Sequence, residues 1–551
     1  MRYLRMAAVL AAAGLLSLLL AACGTKADPN ILKIGWTGNP DSLNPGVGLS
    51  SDAYDIYNLV YDSLYQLQPD GTYTLELAES VDVAEDGKTW TFKIRDGVTF
   101  HDGKPLTARD VAFTFNLYKE HVDDFPYMAG YTTYFDSVEA LDDKTVVINL
   151  SEAIPNMKAQ LYYMYILPKH IWEKYPGTQA TEFTNSEMIG SGPFKLVEFI
   201  DNQIVRLAAN KQHFLYQPKM DEVVFQNYDT PEALVDAITK GEVDMITKLP
   251  LEKAASLGEL SDVQMVAGRP YAPLVSDILI NHIDPANCPT AEGGLCTGHP
   301  ALRDLTVRKA LSLATDKQRI INEVTYGLAE PGLTLIPTGL GQFYNIELKD
   351  YPFDTTEANR LLDEAGYKDA NGDGLREIPD GTQTLMFRID WNETETANAQ
   401  EASLLREMWG KIGVGVEFRP LPQDTLYSVC CPLFDYDLQI GQWGSDPDPN
   451  FLLSVPMTEG IPTGLNETGY ADADYDRMYL EQATTLDESA RRSIIWDMQT
   501  KMLEDVVYII PYYPKSVQAY REDHYRGWVV DEPTLSLQDL TNLTKLVPLS
   551  K

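Results

Sequence analysis

One long apolar run restricts how this chain can fold, and it lies at the N-terminus. Arg2 and Arg5 precede an apolar stretch that extends from Met6 to Leu20. A short basic segment, an apolar segment of this length and the small residues that follow are typical of an export signal. No other run in the sequence approaches the ~20 apolar residues that a membrane-spanning helix requires. We therefore expect the rest of the chain to fold outside the cytoplasm as packed domains.

The end of the apolar stretch carries a second signal. Leu20-Ala21-Ala22-Cys23 resembles a bacterial lipobox, which implies cleavage before Cys23 and acylation of its thiol. Residues 1–22 are thus predicted to be a signal peptide and residues 23–30 a lipid-anchored tether. The predicted location is extracytoplasmic and anchored to the cell membrane, in a periplasmic space or on the outer face of the cytoplasmic membrane. An ordinary export signal that is cleaved at another bond is the alternative.

Length and charge limit the classes of function. A chain of 551 residues with 44% hydrophobic residues is too long for one core and predicts two or three domains. The 81 acidic residues exceed the 44 basic ones and give a formal net charge of −37. Such a field repels nucleic acid, so we expect no nucleic-acid partner.

Four cysteines remain after Cys23, in a compartment that favours disulfides. Cys288 and Cys296 flank a loop rich in Pro, Gly and Thr, and we predict a local bridge between them. Cys430 and Cys431 are adjacent and could bond to each other or to the first pair. A zinc site is the weaker interpretation, because no histidine stands at ligand spacing near either pair.

A stiff polar loop follows a predicted strand late in the chain. Residues 434–440 alternate polar and apolar side chains, as in a strand with one buried face. Residues 442–451 then bring together Trp443, Asp446 and Asp448, while two prolines restrict the backbone. One aromatic side chain and a few acceptors on a rigid loop suit recognition of a cation or an amine. An acidic surface turn would give the same pattern.

A second acidic loop has the spacing of a calcium site. Counting from Asp369, oxygen-bearing side chains stand at positions 1, 3, 5, 9 and 12, with glycine at position 6. The candidate ligands of a structural calcium ion are Asp369, Asn371, Asp373, Glu377 and Asp380. Aspartate replaces the usual glutamate at position 12, and a tight surface turn is the alternative. We expect no other cofactor.

The common catalytic motifs are absent from the sequence. It contains no Gly-x-Ser-x-Gly, Ser-x-x-Lys or His-Glu-x-x-His pattern and no phosphate-binding loop with Gly-Lys. Acidic pairs are plentiful, but in so acidic a chain they are expected on solvated surfaces. We therefore predict a binding protein rather than an enzyme, and a secreted hydrolase is the alternative from a different class.

Several sequence blocks together resemble those of one family. The most specific block includes Arg95-Asp96-Gly97-Val98-Thr99-Phe100-His101-Asp102-Gly103-Lys104-Pro105-Leu106, and further blocks follow at residues 190–196, 307–317 and 443–451. In these blocks and their order the chain is similar to the extracellular solute-binding proteins of family 5, the binding components of ABC importers for oligopeptides, dipeptides and nickel. The similarity extends from about Ile31 to the C-terminus.

The resemblance implies an α/β architecture, the type II (class C) periplasmic-binding-protein-like fold. Two α/β lobes are joined by a hinge, and an extra domain is inserted in the first lobe. The first lobe is expected to be discontinuous, from residues 31–47, 187–275 and 512–551. The extra domain would comprise residues 48–186 and the second lobe residues 276–511.

The resemblance also implies a function and a set of ligand contacts. Asp446 matches the aspartate that pairs with a peptide's α-ammonium, and Trp443 matches an aromatic residue lining the cleft. Asn281 matches a position near the cleft floor, and Trp36 and Asn39 lie on a loop whose backbone faces the ligand. The expected protein is a monomer that captures oligopeptides and delivers them to an ABC permease. Its 31 tyrosines and 8 tryptophans would also suit an oligosaccharide, which is the alternative solute.

Overall fold

The structure is a computed structural model, and it describes residues 30–257, 260, 262–270, 272, 274–444, 447–530 and 536–549. The predicted signal peptide, the predicted acylation site Cys23 and the predicted ammonium ligand Asp446 lie outside these residues. Within them, no helix is both long enough and apolar enough to cross a membrane.

The elements alternate between strands and helices. The strands are β1 (Ile31–Trp36), β2 (Tyr65–Leu67), β3 (Tyr73–Leu75), β4 (Ala78–Val83), β5 (Thr89–Ile94), β6 (Phe135–Ala140), β7 (Thr145–Leu150), β8 (Phe194–Ile200), β9 (Ile204–Ala209), β10 (Glu222–Asn227), β11 (Met245–Ile246), β12 (Val263–Gly268), β13 (Leu274–Ile280), β14 (Ala329–Pro331), β15 (Met386–Asn392), β16 (Gly415–Leu421), β17 (Leu438–Gly444), β18 (Tyr508–Pro514), β19 (Ser516–Arg521), β20 (Tyr525–Arg526) and β21 (Val547–Pro548). The helices are α1 (Ser51–Val60), α2 (Ala108–Glu120), α3 (Pro126–Gly130), α4 (Met157–Tyr162), α5 (Lys169–Trp172), α6 (Thr178–Glu182), α7 (Pro231–Lys240), α8 (Ala254–Leu257), α9 (Leu305–Leu313), α10 (Lys317–Val324), α11 (Thr355–Glu364), α12 (Thr396–Gly410), α13 (Gln423–Cys430), α14 (Asn450–Ser454), α15 (Ala473–Thr484), α16 (Glu488–Glu504) and α17 (Leu540–Lys545).

The first lobe is built on a seven-stranded sheet in the order β12-β19-β11-β1-β10-β9-β8. Strand β1 lies in its interior, parallel to both β10 and β11. Its side chains alternate, so Leu32, Ile34 and Trp36 enter the core. Because β19 comes from the C-terminal region, this sheet is discontinuous in sequence.

The extra domain carries a four-stranded antiparallel sheet in the order β4-β5-β7-β6. Helix α2 packs on this sheet and begins with a capping box, in which Thr107 and Asp110 bond to each other's backbone N–H groups. The apolar core of this domain is continuous with that of the first lobe. The apolar spacing of residues 55–67 by itself predicts a helix over that range. In the structure the helix is α1, which Ser50 caps, and the chain then forms β2.

The second lobe is built on a six-stranded sheet in the order β14-β18-β13-β17-β15-β16. One of its faces is covered by α9, α10 and α12, whose apolar side chains share a core with it. Asp316 separates α9 from α10 by capping the second helix with its carboxylate, as the sequence indicated.

Two crossings connect the lobes. The chain passes from β12 in the first sheet to β13 in the second, and returns from β18 to β19. Strand β18 stays in the second sheet until Pro514, three residues beyond the predicted boundary at 511, and β13 begins at Leu274. The predicted boundaries therefore fall inside the crossing strands, because a continuous apolar strand gives no local signal of a change of sheet.

Candidate functional site

Strand β17 positions the predicted binding loop. It pairs with β13 so that Asp277 lies opposite Gly441 and Val275 opposite Trp443. Successive side chains in a strand point to opposite faces of the sheet. Trp443 therefore shares a face with Asp277, on the side away from α9, α10 and α12.

Trp443 is half-buried and its indole ring is held from two sides. Its Nε1 donates a hydrogen bond to the Glu467 carboxylate at 2.8 Å. The ring meets Phe451 edge-on, with centroids 5.7 Å apart, and Phe451 is itself 41% exposed. This arrangement presents a fixed aromatic surface beside the loop at residues 445–449.

Asp448 anchors the far end of that loop. Both of its oxygens accept from the Arg491 guanidinium of α16, each at 2.8 Å, and both side chains are buried. Arg491 also donates to Gln482, and one Asp448 oxygen accepts from the backbone N–H of Asn450. A bidentate pair of this kind fixes orientation as well as distance. Asp448 thus serves the loop's shape.

The two predicted contacts of the first lobe are placed differently. The Trp36 ring lies in the core, 2% exposed, against Phe225 at 4.8 Å between centroids. Asn39 joins its loop to the β8–β9 turn by donating to Asp201 and accepting from the Asn202 backbone, both at 2.9 Å. Both side chains are thus engaged within the first lobe, and the backbone carbonyls of Trp36 and Gly38 also accept hydrogen bonds there, from Tyr228 and Asn227.

Asn281 is the predicted ligand residue whose surroundings require a correction. It is 1% exposed, and its amide donates to the carbonyls of Phe434 and Tyr436. Its oxygen accepts from the backbone N–H of Ile283 at 3.3 Å. With these bonds made inside the second lobe, Asn281 fixes the turn before β17, and we do not include it among the proposed ligand contacts.

A group of acidic side chains around Asp277, of which Asp277 and Glu401 are fully buried, was not predicted from the sequence. Burial, then the charges of Glu467 and Glu401, raise the pKa of Asp277 well above its usual range. Burial also raises the pKa of Glu467 to about 7 and that of Glu401 to about 8. The signal in the sequence was a single charged residue inside the apolar strand Leu274-Val275-Ser276-Asp277-Ile278-Leu279-Ile280.

The candidate calcium loop is assembled only in part. Ligand atoms of Asp369, Asp373 and Glu377 lie within 4.8 Å of one another. Asn371 bonds to Asp373 and Glu377 through its amide nitrogen, so its oxygen would face an ion only after a change of partners. Asp380 instead accepts from the backbone N–H and the hydroxyl of Thr382, within its own turn. The prediction of Asp380 as a ligand is therefore wrong for this conformation, because a local turn satisfies its carboxylate.

Both cysteine pairs are bonded. Cys288 is joined to Cys296, the local bridge that the loop composition favoured. Cys430 is joined to its neighbour Cys431. The two bridges close loops at one end of the second lobe, where Leu295 and Cys296 donate backbone hydrogen bonds to Leu433.

One Ser-Asp-His arrangement is buried where the extra domain meets the first lobe. Asp62 accepts from Ser191 Oγ at 2.7 Å and from His213 Nε2 at 3.0 Å. The other ring nitrogen of His213 accepts from the backbone N–H groups of Leu215 and Tyr216. The serine hydroxyl thus donates to a carboxylate and faces no base, and all three side chains are shielded from solvent. The arrangement is that of a structural network rather than of an activated nucleophile.

Comparison with known sequences places these features in one family. A family model described as bacterial extracellular solute-binding proteins, family 5 Middle, matches residues 72–460. The oligopeptide-binding protein AppA of Bacillus subtilis is 27% identical over 499 residues, which cover 89% of this chain and 88% of AppA. The nickel-binding periplasmic protein of Escherichia coli is 24% identical over 500 residues, covering 88% of this chain and 89% of that protein.

Solved structures agree over nearly the whole chain. The ABC transporter substrate binding protein CtaP of Listeria monocytogenes has a TM-score of 0.80 and 25% identity, covering 95% of this chain and 99% of CtaP. AppA of Bacillus subtilis in complex with a nonapeptide has a TM-score of 0.71 and 26% identity, covering 95% of this chain and 100% of AppA. The type II fold with its extra domain is thereby confirmed, in a family of extracytoplasmic substrate-binding proteins rather than enzymes. This chain belongs to the bacterial extracellular solute-binding proteins of family 5.

Proposed function

We propose that this protein is the lipid-anchored solute-binding component of an ABC importer and that its solutes are oligopeptides. The peptide is held between the lobes, with its α-ammonium at the loop that joins β17 to α14. The observation that carries this proposal is the construction of that loop. The Asp448–Arg491 pair fixes one end of it, and the half-buried Trp443 fixes the other.

The chemistry of the loop favours an amine. Asp446 is an additional carboxylate in this segment, and its neighbour Asp448 is already neutralised by Arg491. An ammonium that pairs with a carboxylate in a closed cleft forms charge-assisted hydrogen bonds, which are about twice as strong as those between neutral groups. Trp443 supplies an apolar wall that excludes water. The similarity to AppA, whose solved structure holds a nonapeptide, supports a peptide as solute.

The test is to titrate an Asp446→Asn variant with peptides of three to five residues that have free or acetylated N-termini. We expect the parent to prefer the free amine, and the variant to lose about 10- to 100-fold in affinity for it. Asp424→Asn, at an exposed aspartate on α13, is the matched control and should bind as the parent does. A variant at 446 that binds free peptides as tightly as the parent would refute the peptide mechanism.

An oligosaccharide is the competing solute. In that case Asp446 would accept from sugar hydroxyls, and Trp443 would stack on a ring. Acetylation of peptides would then be irrelevant, and titration with short oligosaccharides would give saturable binding. Nickel is a third outcome, because one relative is named for it. Across the part of the chain that the structure covers, the one close group of potential metal ligands is Asp369, Asp373 and Glu377, which contains no histidine.

The remaining parts of the proposal concern location and partners. Cleavage before Cys23 and acylation of its thiol would tether the protein at the membrane beside a permease. A Cys23→Ala variant should appear in the medium or in the soluble extracytoplasmic fraction instead of the membrane fraction. Binding by a single chain that closes over its ligand requires no second copy, so we propose a monomer.

A structural calcium ion at residues 369–377 belongs to the same proposal as a minor element. Asp369, Asp373 and Glu377 supply carboxylates of the type that calcium prefers. Both Asp369 oxygens already accept from the backbone N–H groups of Gly372 and Gly374, so the loop is held closed by its own bonds. An ion there would add rigidity to the second lobe and take no part in solute capture.

A further inference from the structure

The central strand of the second lobe contains a carboxylate that has no bonding partner of good geometry. Asp277 is 0% exposed, and neither of its oxygens accepts such a hydrogen bond within the described part of the chain. The hydroxyl of Tyr508 and the side-chain oxygen of Gln439 are buried and unpartnered in the same way. Three oxygen-bearing side chains thus lie in the interior with their bonding capacity unused.

These groups share one face of the sheet. Asp277 lies opposite Gly441 on β17, and Leu279 lies between Gln439 on one side and Tyr508 on the other. Residues two apart on a strand lie on the same face, and diagonal neighbours are roughly 7–8 Å apart. Asp277, Gln439 and Tyr508 therefore occupy neighbouring positions on one face of the sheet.

Gly441 leaves the space that the Asp277 carboxylate occupies. A Cβ atom on residue 441 would lie 2.8 Å from Asp277 Oδ1, closer than real contacts allow. The backbone N–H groups of Gly441 and of Asp277 itself are near enough to lower the carboxyl pKa in part, although burial outweighs them. The chain thus provides room for a carboxylate here, and no side chain in its described part supplies a cation to it.

The edge of this group adjoins the proposed ammonium loop through Trp443, the next-to-last residue of β17. Trp443 and Glu467 are the partly exposed members of the group, and the indole donates to the Glu467 carboxylate at 2.8 Å. The Tyr436 hydroxyl donates to the backbone carbonyl of Glu467 and holds that loop in place. A group that entered between Trp443 and Glu467 would come from the same side as a peptide bound at residues 443–446.

A purely structural role does not account for Asp277. A buried carboxylate costs several kcal/mol unless it is paired, and an apolar side chain at this position in a sheet core would be cheaper. Two other buried carboxylates have donors, Asp390 in Arg419 and Asp437 in Arg388. Glu401 lacks one, as Asp277 does, but it lies on the opposite side of the sheet from Trp443. A ligand that brings positive charge would supply the missing partner.

We propose that Asp277, Glu467, Gln439, Tyr508 and Trp443 form an acidic subsite that receives the cationic side chain of a lysine or arginine residue of the bound peptide. The entering cationic group replaces the Trp443 indole as the partner of the Glu467 carboxylate. Asp277 then pairs with the same group from the sheet side. The tryptophan face then contributes a cation–π contact. This inference rests on the proposed function and names the class of peptide that the cleft selects.

The test is a set of peptides in which lysine at one position is replaced by norleucine, which has an unbranched side chain without the charge. Each position among the first four is tested in turn, with binding to the parent, Asp277→Asn and Glu401→Gln proteins measured by calorimetry. Glu401 is the matched control, because it too is fully buried and unpartnered but lies on α12, on the other side of the sheet.

We expect the parent to prefer lysine at one position by about tenfold or more. Asp277→Asn should lose this preference while its affinity for the norleucine peptide changes by less than about threefold, which also shows that the variant is folded. Glu401→Gln should keep the preference.

A parent that binds peptides with no preference for lysine at any position overturns the subsite and leaves the proposed function intact. An Asp277→Asn variant that keeps the full preference overturns the subsite as well. Absence of binding to every peptide, free or acetylated, overturns both proposals.

Discussion

Two buried aspartates, one in each lobe, have almost the same exposure and very different surroundings. Asp62, where the extra domain meets the first lobe, is 1% exposed and accepts from Ser191 and His213. Asp277, in the second sheet, is 0% exposed and has no comparable donor among the described residues. Burial is thus the same in the two places, and the set of partners is what differs.

This difference in bonding partners distinguishes a structural carboxylate from one that is available to a ligand. The hydrogen bonds of Asp62 tie together segments more than 120 residues apart, and each carboxylate oxygen has a side-chain donor. Among the described residues, no side chain donates to Asp277. A carboxylate buried without compensation lowers stability, and because Asp277 shares its face of the sheet with Trp443, whereas the unpartnered Glu401 does not, we relate Asp277 and not Glu401 to the ligand.

The largest effect on stability is expected from replacing the two aspartates by alanine. Asp62→Ala should lower the free energy of unfolding by about 3–5 kcal/mol, because it leaves Ser191 and His213 buried without their acceptor. Asp277→Ala should cost about 1 kcal/mol or less, since the small cavity is offset by removal of an unpaired acid. Urea denaturation of the ligand-free proteins measures both. Equal losses at the two sites would show that Asp277 has a structural partner after all.

The pH dependence of stability tests the unpaired acids as a class. Burial raises the pKa of Glu401 from 4.5 to about 8 in the folded protein. The folded state therefore binds a proton that the unfolded state has lost between these pH values. The stabilisation is fully present below pH 4.5 and is lost as pH rises through about 8, with a slope of about 1.4 kcal/mol per pH unit.

Glu401→Gln should remove that contribution. We expect the variant to show a smaller decrease in unfolding free energy than the parent between pH 5 and pH 8, measured by urea titrations at several pH values. Asp424→Asn, at an exposed aspartate on α13, serves as the control with an unchanged profile. A Glu401→Gln protein whose profile matches the parent would mean that Glu401 is already ionised at neutral pH.

The smallest expected effect concerns acids that are exposed rather than buried. Calcium at ten times its dissociation constant should stabilise the protein by about 1.4 kcal/mol if residues 369–377 bind it. Asp373→Asn should abolish the increase in melting temperature, and Asp380→Asn should preserve it, because Asp380 bonds within its own turn. An increase that survives both substitutions would place the ion elsewhere.

Local patterns predicted much of the fold. The capping box at Thr107 and the cap at Asp316 involve residues three apart, so the sequence alone located the starts of α2 and α10. The helix predicted over residues 55–67 failed because the apolar spacing continues into β2, which pairs with β3. Periodicity does not distinguish a helix from a short buried strand when tertiary pairing decides the outcome.

The site was harder to predict, since its bonds join distant segments. Asp448 and Arg491 are 43 residues apart, and the amide of Asn281 reaches carbonyls more than 150 residues away. Local sequence patterns do not reveal such distant pairs. For this reason Asn281 was predicted to contact the ligand, and Arg491 was not predicted to have a role. The sequence shows Asp277 as the single charged residue of an apolar strand. That it has no good hydrogen-bond partner among the described residues is visible only in the structure.

Native mass spectrometry of the purified, untreated protein tests the central claim most directly, because it weighs whatever the cleft retains. We expect the protein to release short peptides on mild denaturation. These peptides should be enriched in lysine or arginine, and the Asp277→Asn variant should lose that enrichment. Release of an oligosaccharide or a metal complex in place of peptides would contradict it.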